Sequence, residues 1–125
     1  LGAIQKEFGA GCCDDETAKE TIGKVYKAQG YLMDPHTACA WAVAEGHRGD
    51  APMVVLSTAS PYKFSSAVLS AIGGDVSGSE FERMDRLQAL TGVPIPPNLR
   101  SLRGKPELHT DVIPKEQMPD YVLRR

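Results

Sequence analysis

The chain has 125 residues, of which 42% are hydrophobic, and a formal net charge of -2. This size and composition fit a single domain, or a piece of one, with enough apolar residues for a modest core. The slightly acidic balance argues against a nucleic-acid partner, which needs a clustered basic face. No apolar run is long enough to span a membrane and no signal peptide is visible, so we expect no membrane partner.

The chain has three cysteines, and two of them, Cys12 and Cys13, are adjacent. An odd number with this spacing is a poor basis for a disulfide framework, so we predict reduced thiols in a cytoplasmic protein. The sequence begins at Leu1, within what looks like the middle of an element. We therefore expect it to be a fragment of a longer protein.

Two helices are predicted in the first half of the chain. The first opens with acidic residues 14–16 at the positive end of its dipole and ends at Gly30. The second has Asp34 as its N-cap and Pro35 at its first position, and it runs to about Glu45. This second helix is apolar on nearly every face, which predicts burial on several sides.

A buried strand is predicted at residues 53–57, because a short apolar run with β-branched residues stops at a cluster of hydroxyls. A helix over residues 61–72 follows it. A strand that is apolar on both faces, with a helix before and after it, indicates a sheet covered on two sides. We therefore predict an α/β fold with a few strands flanked by helices.

The predicted strand delivers Ser57, Thr58 and Ser60 to its C-terminal end, where open α/β sheets bind their ligands. Thr58 is the residue we expect to touch a ligand. The alternative is that Ser60 caps the next helix and Thr58 fills a turn. Lys63 lies in the first turn of that helix, where a cation opposes the dipole. We consider two interpretations of Lys63, an anion or carboxylate partner and a solvated surface lysine.

The last third of the chain contains one more helix and a proline-rich tail. Ser79 and Glu82 form a capping box, and Gly92 ends the helix that they start. Residues 93–125 combine six prolines with recurring apolar anchors, which predicts an ordered strap across a larger body, with a short helix over 114–123. The chain divides into an α/β segment over 1–92 and this strap.

No metal site is predicted, because His36, His47 and His109 are far apart and Asp34 beside His36 is explained as a helix cap. Neither a Gly-x-Gly-x-x-Gly nor a Walker pattern is present. The residues alone therefore describe a unit with a polar strand tip and no self-sufficient active site.

Four stretches form an ordered set: residues 8–15 (FGAGCCDD), 30–38 (GYLMDPHTA), 56–64 (LSTASPYKF) and 93–99 (VPIPPNL). Together they resemble the C-terminal part of threonine synthase, a fold-type-II enzyme that depends on pyridoxal phosphate, and residues 111–113 (DVI) are similar as well. Nearly the whole chain is covered, in the family's order.

The resemblance implies the conversion of O-phospho-L-homoserine and water to L-threonine and phosphate. It implies that Thr58 is the partner of the cofactor's pyridine nitrogen, with Ser57 and Ser60 beside the ring. A neutral hydroxyl, unlike a carboxylate, does not enforce protonation of that nitrogen.

The turn that contains Asp34, His36 and Thr37 resembles one that such enzymes place near the cofactor, and we carry over proximity only. Lys63 is a candidate for holding anionic substrate or cofactor. The family's Schiff-base lysine and glycine-rich phosphate loop are not in this sequence. We therefore expect the missing N-terminal part of the same protein as a partner, and a chain that by itself is inactive and self-associates.

Two other hypotheses remain. The chain is a truncated relative that has kept only a binding or regulatory surface, or it is an unrelated small α/β protein. The upstream reading frame distinguishes the first of these from a synthase fragment.

Overall fold

Helices make up all the regular secondary structure of residues 2–124, which are the residues that this computed structural model describes. Leu1 and Arg125, the outermost residues of the two predicted domains, lie outside them. The α-helices are α1 (Asp15–Gln29), α2 (Pro35–Glu45), α3 (Ser65–Ala71), α4 (Glu80–Thr91), α5 (Pro97–Arg100) and α6 (Met118–Leu123). Three short 3₁₀ turns span Ile4–Lys6, Pro61–Phe64 and Lys115–Gln117.

The predicted α/β fold is wrong, because residues 2–124 contain no strand. Residues 53–57, the predicted strand, have no regular secondary structure, and Val54 and Leu56 are 79% and 73% exposed. A strand exists only through a ladder of hydrogen bonds to a neighbour, and the described part of the chain offers this segment none. Residues 53–57 therefore have a composition that favours a strand but no neighbouring strand with which to pair.

α1, α2 and α4 begin at their predicted capping residues, whereas the helix predicted over residues 61–72 starts as the 3₁₀ turn Pro61–Phe64 and continues as the shorter α3. Asp14 accepts a hydrogen bond from the backbone N of Thr17 at 2.8 Å and starts α1. The predicted capping box starts α4. Gly30 and Gly92 end α1 and α4 with φ angles of 68° and 70°, a left-handed conformation that favours glycine.

α1 is the centre of the packing, since α2 and α3 both lie against it and α4 lies against α3. The approach of α1 to α3 is close at Gly23, where a Cβ would lie 2.5 Å from the carbonyl oxygen of Ala71. The core joins apolar side chains from all four helices with others from the segments between and after them: Ala18, Ile22, Val25, Leu32, Met33, Ala38, Tyr62, Val68, Leu69, Met84, Leu87 and Ile95.

α2 is less buried than its apolar composition predicts. Only Thr37 and Ala38 are buried, whereas Trp41 and residues 42–44 are half-buried. One face of α2 packs on α1, and the described residues leave much of the opposite face open. The prediction of burial on several sides is therefore wrong for the described chain.

The proline-rich tail is tied down only at its start. Val93, Ile95 and Leu99 pack against the core. Further on, Leu108 and Val112 are 81% and 95% exposed, although the short helix expected near the end is present as α6. The later apolar side chains of the tail thus contribute little to the core of residues 2–124.

Candidate functional site

A buried carboxylate lies at the start of α2. Asp34 is 0% exposed, and its Oδ1 accepts hydrogen bonds from the backbone N and the ring Nδ1 of His36, each at 2.9 Å. Its Oδ2 accepts a short hydrogen bond from the Thr37 hydroxyl. The sequence Asp-Pro-His-Thr produces this arrangement locally, because an N-cap aspartate turns back towards the first free N–H groups of its helix.

The charge on Asp34 is stabilised despite its burial. Burial raises the pKa of this carboxyl, but the hydrogen bonds from Thr37 and His36 lower it, and the resulting pKa lies below the usual value for aspartate. Asp34 is therefore an ionised, acceptor-only group at neutral pH.

The start of α2 meets the predicted strand tip through one contact. Thr37 Oγ1 lies 3.4 Å from Ser57 Oγ, and 20 residues separate the two in sequence. Thr37 is buried and Ser57 is exposed. The contact therefore joins the buried carboxylate to the surface at the end of segment 53–57.

Three hydroxyls lie at or just after the end of that segment, and their contacts differ. Ser57 contacts Thr37. Ser60 caps the 3₁₀ turn Pro61–Phe64 by accepting a hydrogen bond from the backbone N of Tyr62 at 3.3 Å, so the capping interpretation of Ser60 is confirmed. Thr58 is exposed, and within residues 2–124 no hydrogen bond holds its hydroxyl. Thr58 is thus available to a ligand.

Lys63 lies in the same 3₁₀ turn with its side chain exposed, and no carboxylate of the described chain pairs with it. Of the two interpretations of Lys63, the described residues show the solvated lysine. An anion from outside these residues remains a prediction.

His36 has a fixed orientation that the sequence did not reveal. Its Nδ1 bonds Asp34, and its ring meets the Phe64 ring edge-on with centroids 4.9 Å apart. The His36 side chain is nevertheless 62% exposed. The imidazole also lines an apolar groove of about 550 Å³ on the outer face of α2, together with Cys39, Val43 and His47.

Tyr62 is a further residue that sequence reasoning missed. It is 2% exposed, and its hydroxyl donates a hydrogen bond to the carbonyl of Val93, which ties the hydroxyl segment to the start of the tail. Burial raises the pKa of this phenol. The two residues are 31 positions apart, and no local pattern reports such a contact.

The described residues contain neither a metal-ligand cluster nor a membrane-spanning helix. No three His, Cys, Asp or Glu side chains cluster in a way that would hold a metal ion. None of the described helices has the length and apolar character needed to cross a bilayer.

The hydroxyls at residues 57, 58 and 60 fit one end of a pyridoxal phosphate, the pyridine ring nitrogen. A hydroxyl both donates and accepts, so it suits a ring nitrogen in either protonation state. The cofactor's phosphate needs anion-binding groups and its carbonyl carbon needs a Schiff-base lysine, and the hydroxyls at 57, 58 and 60 supply neither. Among the cofactor's functional groups, the three hydroxyls therefore suit the ring nitrogen alone.

Comparison with known proteins shows the family to which this chain belongs. A family model described as threonine synthase, C-terminal, matches residues 37–119. Because this match takes in more than half of the chain, the chain belongs to the threonine synthase C-terminal family. The resemblance in the sequence motifs is thus confirmed, and the match includes Thr37, Ser57, Thr58 and Lys63 but begins after Asp34 and His36.

Curated relatives carry the same family name. The chain is 44% identical to threonine synthase of Pseudomonas aeruginosa over 69 residues, which is 54% of this chain and 15% of that protein. It is 36% identical to threonine synthase of Saccharomyces cerevisiae over 92 residues, 66% of this chain and 18% of that protein. It is also 38% identical to threonine synthase-like 1 of Mus musculus over 71 residues, 56% of this chain and 10% of that protein. The chain thus spans less than a fifth of each of these relatives.

Proposed function

We propose that this chain forms the ring-nitrogen side of the active site of a threonine synthase, which converts O-phospho-L-homoserine and water to L-threonine and phosphate. The observation that carries the proposal is the family match over residues 37–119, which includes the exposed hydroxyl segment. Pyridoxal phosphate, when bound, supplies an electron sink that stabilises carbanions at the substrate.

The residues of this chain have separate roles in that site. Thr58 is the hydroxyl partner of the cofactor's ring nitrogen, since its side chain is exposed and uncommitted within the described residues. Ser57 lies beside it, held by Thr37. Ser60 contributes mainly by capping the turn that follows, which fixes the backbone on the far side of Thr58.

Lys63 is the group beside these hydroxyls that suits an anion. It is a cation without a carboxylate partner among residues 2–124. We assign Lys63 the auxiliary role of attracting the phosphate-bearing substrate. Asp34 and Thr37 act through their neighbours as positioning residues.

The remainder of the site comes from residues outside this chain. The matched relatives are several times longer than the stretches they share with it. Exposed Val54 and Leu56, and the open outer face of α2, are the surfaces that we propose the N-terminal part of the same protein covers.

Genetic complementation tests this function. The complete product of the gene that encodes this chain is expressed in a bacterial strain that lacks threonine synthase and needs threonine to grow. We expect growth without threonine, and weaker growth with Thr58→Val at equal protein abundance. A product that accumulates, binds the cofactor and does not restore growth contradicts the proposal and favours a binding or regulatory module.

A further inference from the structure

The segment that precedes α1 lies along the outer face of α2. A Cβ added to Gly9 would lie 3.4 Å from Cδ2 of His47, and a Cβ added to Gly11 would lie 2.7 Å from Cγ1 of Val43. The two glycines therefore allow the backbone of segment 9–13 to approach α2, and the turn that follows it, more closely than larger residues would.

These contacts follow a regular spacing. On the helix side the two contact positions are four residues apart, and Cys39 lies four residues before Val43, so all three belong to one row. On the segment side the two glycines are two residues apart, and Cys13 lies two residues after Gly11. Two residues of an extended chain advance about 6.6 Å, and four residues of a helix advance about 6 Å. The spacing therefore places Cys13 opposite Cys39.

The two thiols are in contact, as this spacing requires. Burial raises the pKa of the Cys13 thiol, and the Cys39 thiol raises that pKa further through its charge and through a hydrogen bond. Both side chains are free and half-buried, whereas the neighbouring Cys12 is exposed. Since α1 lies between Cys13 and Cys39 in the chain, a bond between them closes a loop that contains this helix.

We propose that Cys13 and Cys39 are a modification site, at which a small disulfide such as oxidised glutathione joins them in a reversible disulfide bond. One protein thiolate attacks the glutathione disulfide, forms a mixed disulfide and releases one glutathione thiolate. The second protein thiolate attacks the protein sulfur of this mixed disulfide and releases the other glutathione thiolate. The two protein thiols thus lose two electrons and their two protons, and one glutathione disulfide becomes two glutathione thiols.

The bond holds segment 9–13 on α2 and restricts the unfolded chain between residues 13 and 39. Both effects stabilise the packing of α1 against α2 in the oxidised protein. Neither cysteine has a role in the proposed function, so the inference stands or falls independently of it.

Peptide mapping tests the inference on the complete gene product. The protein is equilibrated without air in mixtures of reduced and oxidised glutathione at about pH 8, where more of each thiol is ionised. Free thiols are then alkylated, the protein is digested with trypsin, and the peptide masses are measured. Trypsin releases Cys13 in residues 7–19 and Cys39 in residues 28–48. We expect these two peptides to be joined with the loss of two hydrogens, and to separate after treatment with dithiothreitol.

Cys12→Ser is the matched control, because Cys12 lies in the same tryptic peptide as Cys13 and is exposed. We expect the joined peptides to persist in Cys12→Ser and to be absent from both Cys13→Ser and Cys39→Ser.

Gly11→Ala tests the close approach of the segment to α2. The new Cβ meets Val43, whose β-branched side chain has one strongly preferred rotamer in a helix, so the segment moves away. We expect the equilibrium constant for disulfide formation to fall at least about tenfold, which corresponds to a rise of about 30 mV in the reduction potential. Gly49→Ala leaves the constant unchanged, because no described atom lies within 4 Å of its Cβ.

The inference is overturned by a protein that stays reduced in the most oxidising mixture, or that carries glutathione on Cys13 or Cys39 without joining them. It is also overturned if the joined peptides persist in Cys13→Ser and disappear in Cys12→Ser, because the pairing then belongs to Cys12. These results leave the proposed function standing, since complementation tests it separately. If Gly11→Ala fails to fold, the comparison of Cys12→Ser with Cys13→Ser carries the test.

Discussion

At the start of α2, the Asp34 carboxylate makes folding stability depend on pH. Burial raises its pKa but the hydrogen bonds from Thr37 and His36 lower it, with a net depression in the folded chain. A depressed folded pKa adds stability that is fully present above the unfolded value of about 3.9 and is lost as the pH falls through the folded pKa.

We therefore expect the difference in unfolding free energy between the wild type and Asp34→Asn to be largest near neutral pH and to shrink as the pH falls below about 4. Urea unfolding of both proteins across this range measures it. The comparison with Asp34→Asn removes the contributions of Asp14, Asp75 and Glu82, whose pKa values are also lowered by hydrogen bonds from nearby residues. A difference in unfolding free energy that stays constant across this pH range would contradict the stabilising role of the Asp34 charge.

The hydroxyl of Ser60 has a structural role, whereas we propose that the hydroxyl of Thr58 contacts a ligand. Ser60 caps a turn, so Ser60→Ala should reduce the free energy of unfolding by about 0.5–1 kcal/mol. Thr58 is exposed and makes no hydrogen bond within residues 2–124, so Thr58→Val should change it by less than about 0.5 kcal/mol. Thermal unfolding of the two variants measures which of them loses more stability. A larger loss for Thr58→Val would mean that Thr58 holds the fold.

At the scale of the elements, Gly23 decides how closely α1 and α3 approach. Replacing a helical glycine by alanine normally stabilises a helix by up to about 1 kcal/mol. Here the new Cβ would lie 2.5 Å from the Ala71 carbonyl oxygen, which belongs to the backbone and has little freedom to move. We expect Gly23→Ala to lower the melting temperature.

The matched control is Ala28→Gly, an exposed position of the same helix, which measures the propensity effect alone. Its expected cost is at most about 1 kcal/mol, because Ala28 lies in the last turn of α1. A Gly23→Ala variant that melts above the wild type would show that the helices separate easily.

The helices could be predicted because their signals are local. Asp34 with Pro35, the Ser79–Glu82 capping box and the glycines at 30 and 92 act within a few residues, and each operates as expected. The strand could not be judged in this way, because a strand needs a partner and residues 53–57 have none in the described chain. The burial of α2 was overestimated for the same reason, since composition states what a helix prefers to contact and not what is there.

The site shows the same division. The residue types at 34, 37, 57 and 58 were identified from motifs, whereas the link between Thr37 and Ser57 and the bond from Tyr62 to Val93 span 20 and 31 residues. Such contacts depend on how α1 arranges the other helices.

For the whole molecule, exposed apolar groups predict association of the isolated chain. Val54 and Leu56 are largely exposed on a segment whose backbone lacks a ladder partner in the described residues, and such a surface favours pairing with a second copy. We expect the double variant Val54→Lys/Leu56→Lys to weaken association.

Sedimentation velocity over a range of concentrations measures this association. Val122→Lys is the control, because Val122 is 64% exposed on α6 and far from the segment in sequence. A wild-type chain that stays a monodisperse monomer at high concentration would contradict the prediction.

The proposed synthase activity is tested most directly by product formation. The complete gene product, supplied with pyridoxal phosphate, is given O-phospho-L-homoserine, and L-threonine and phosphate are both quantified. We predict equal amounts of the two products, with a rate at least about tenfold lower for Thr58→Val and little changed for Val122→Lys. Cofactor-loaded protein that releases neither product, or a Thr58→Val rate equal to that of the wild type, would contradict the role assigned to this chain.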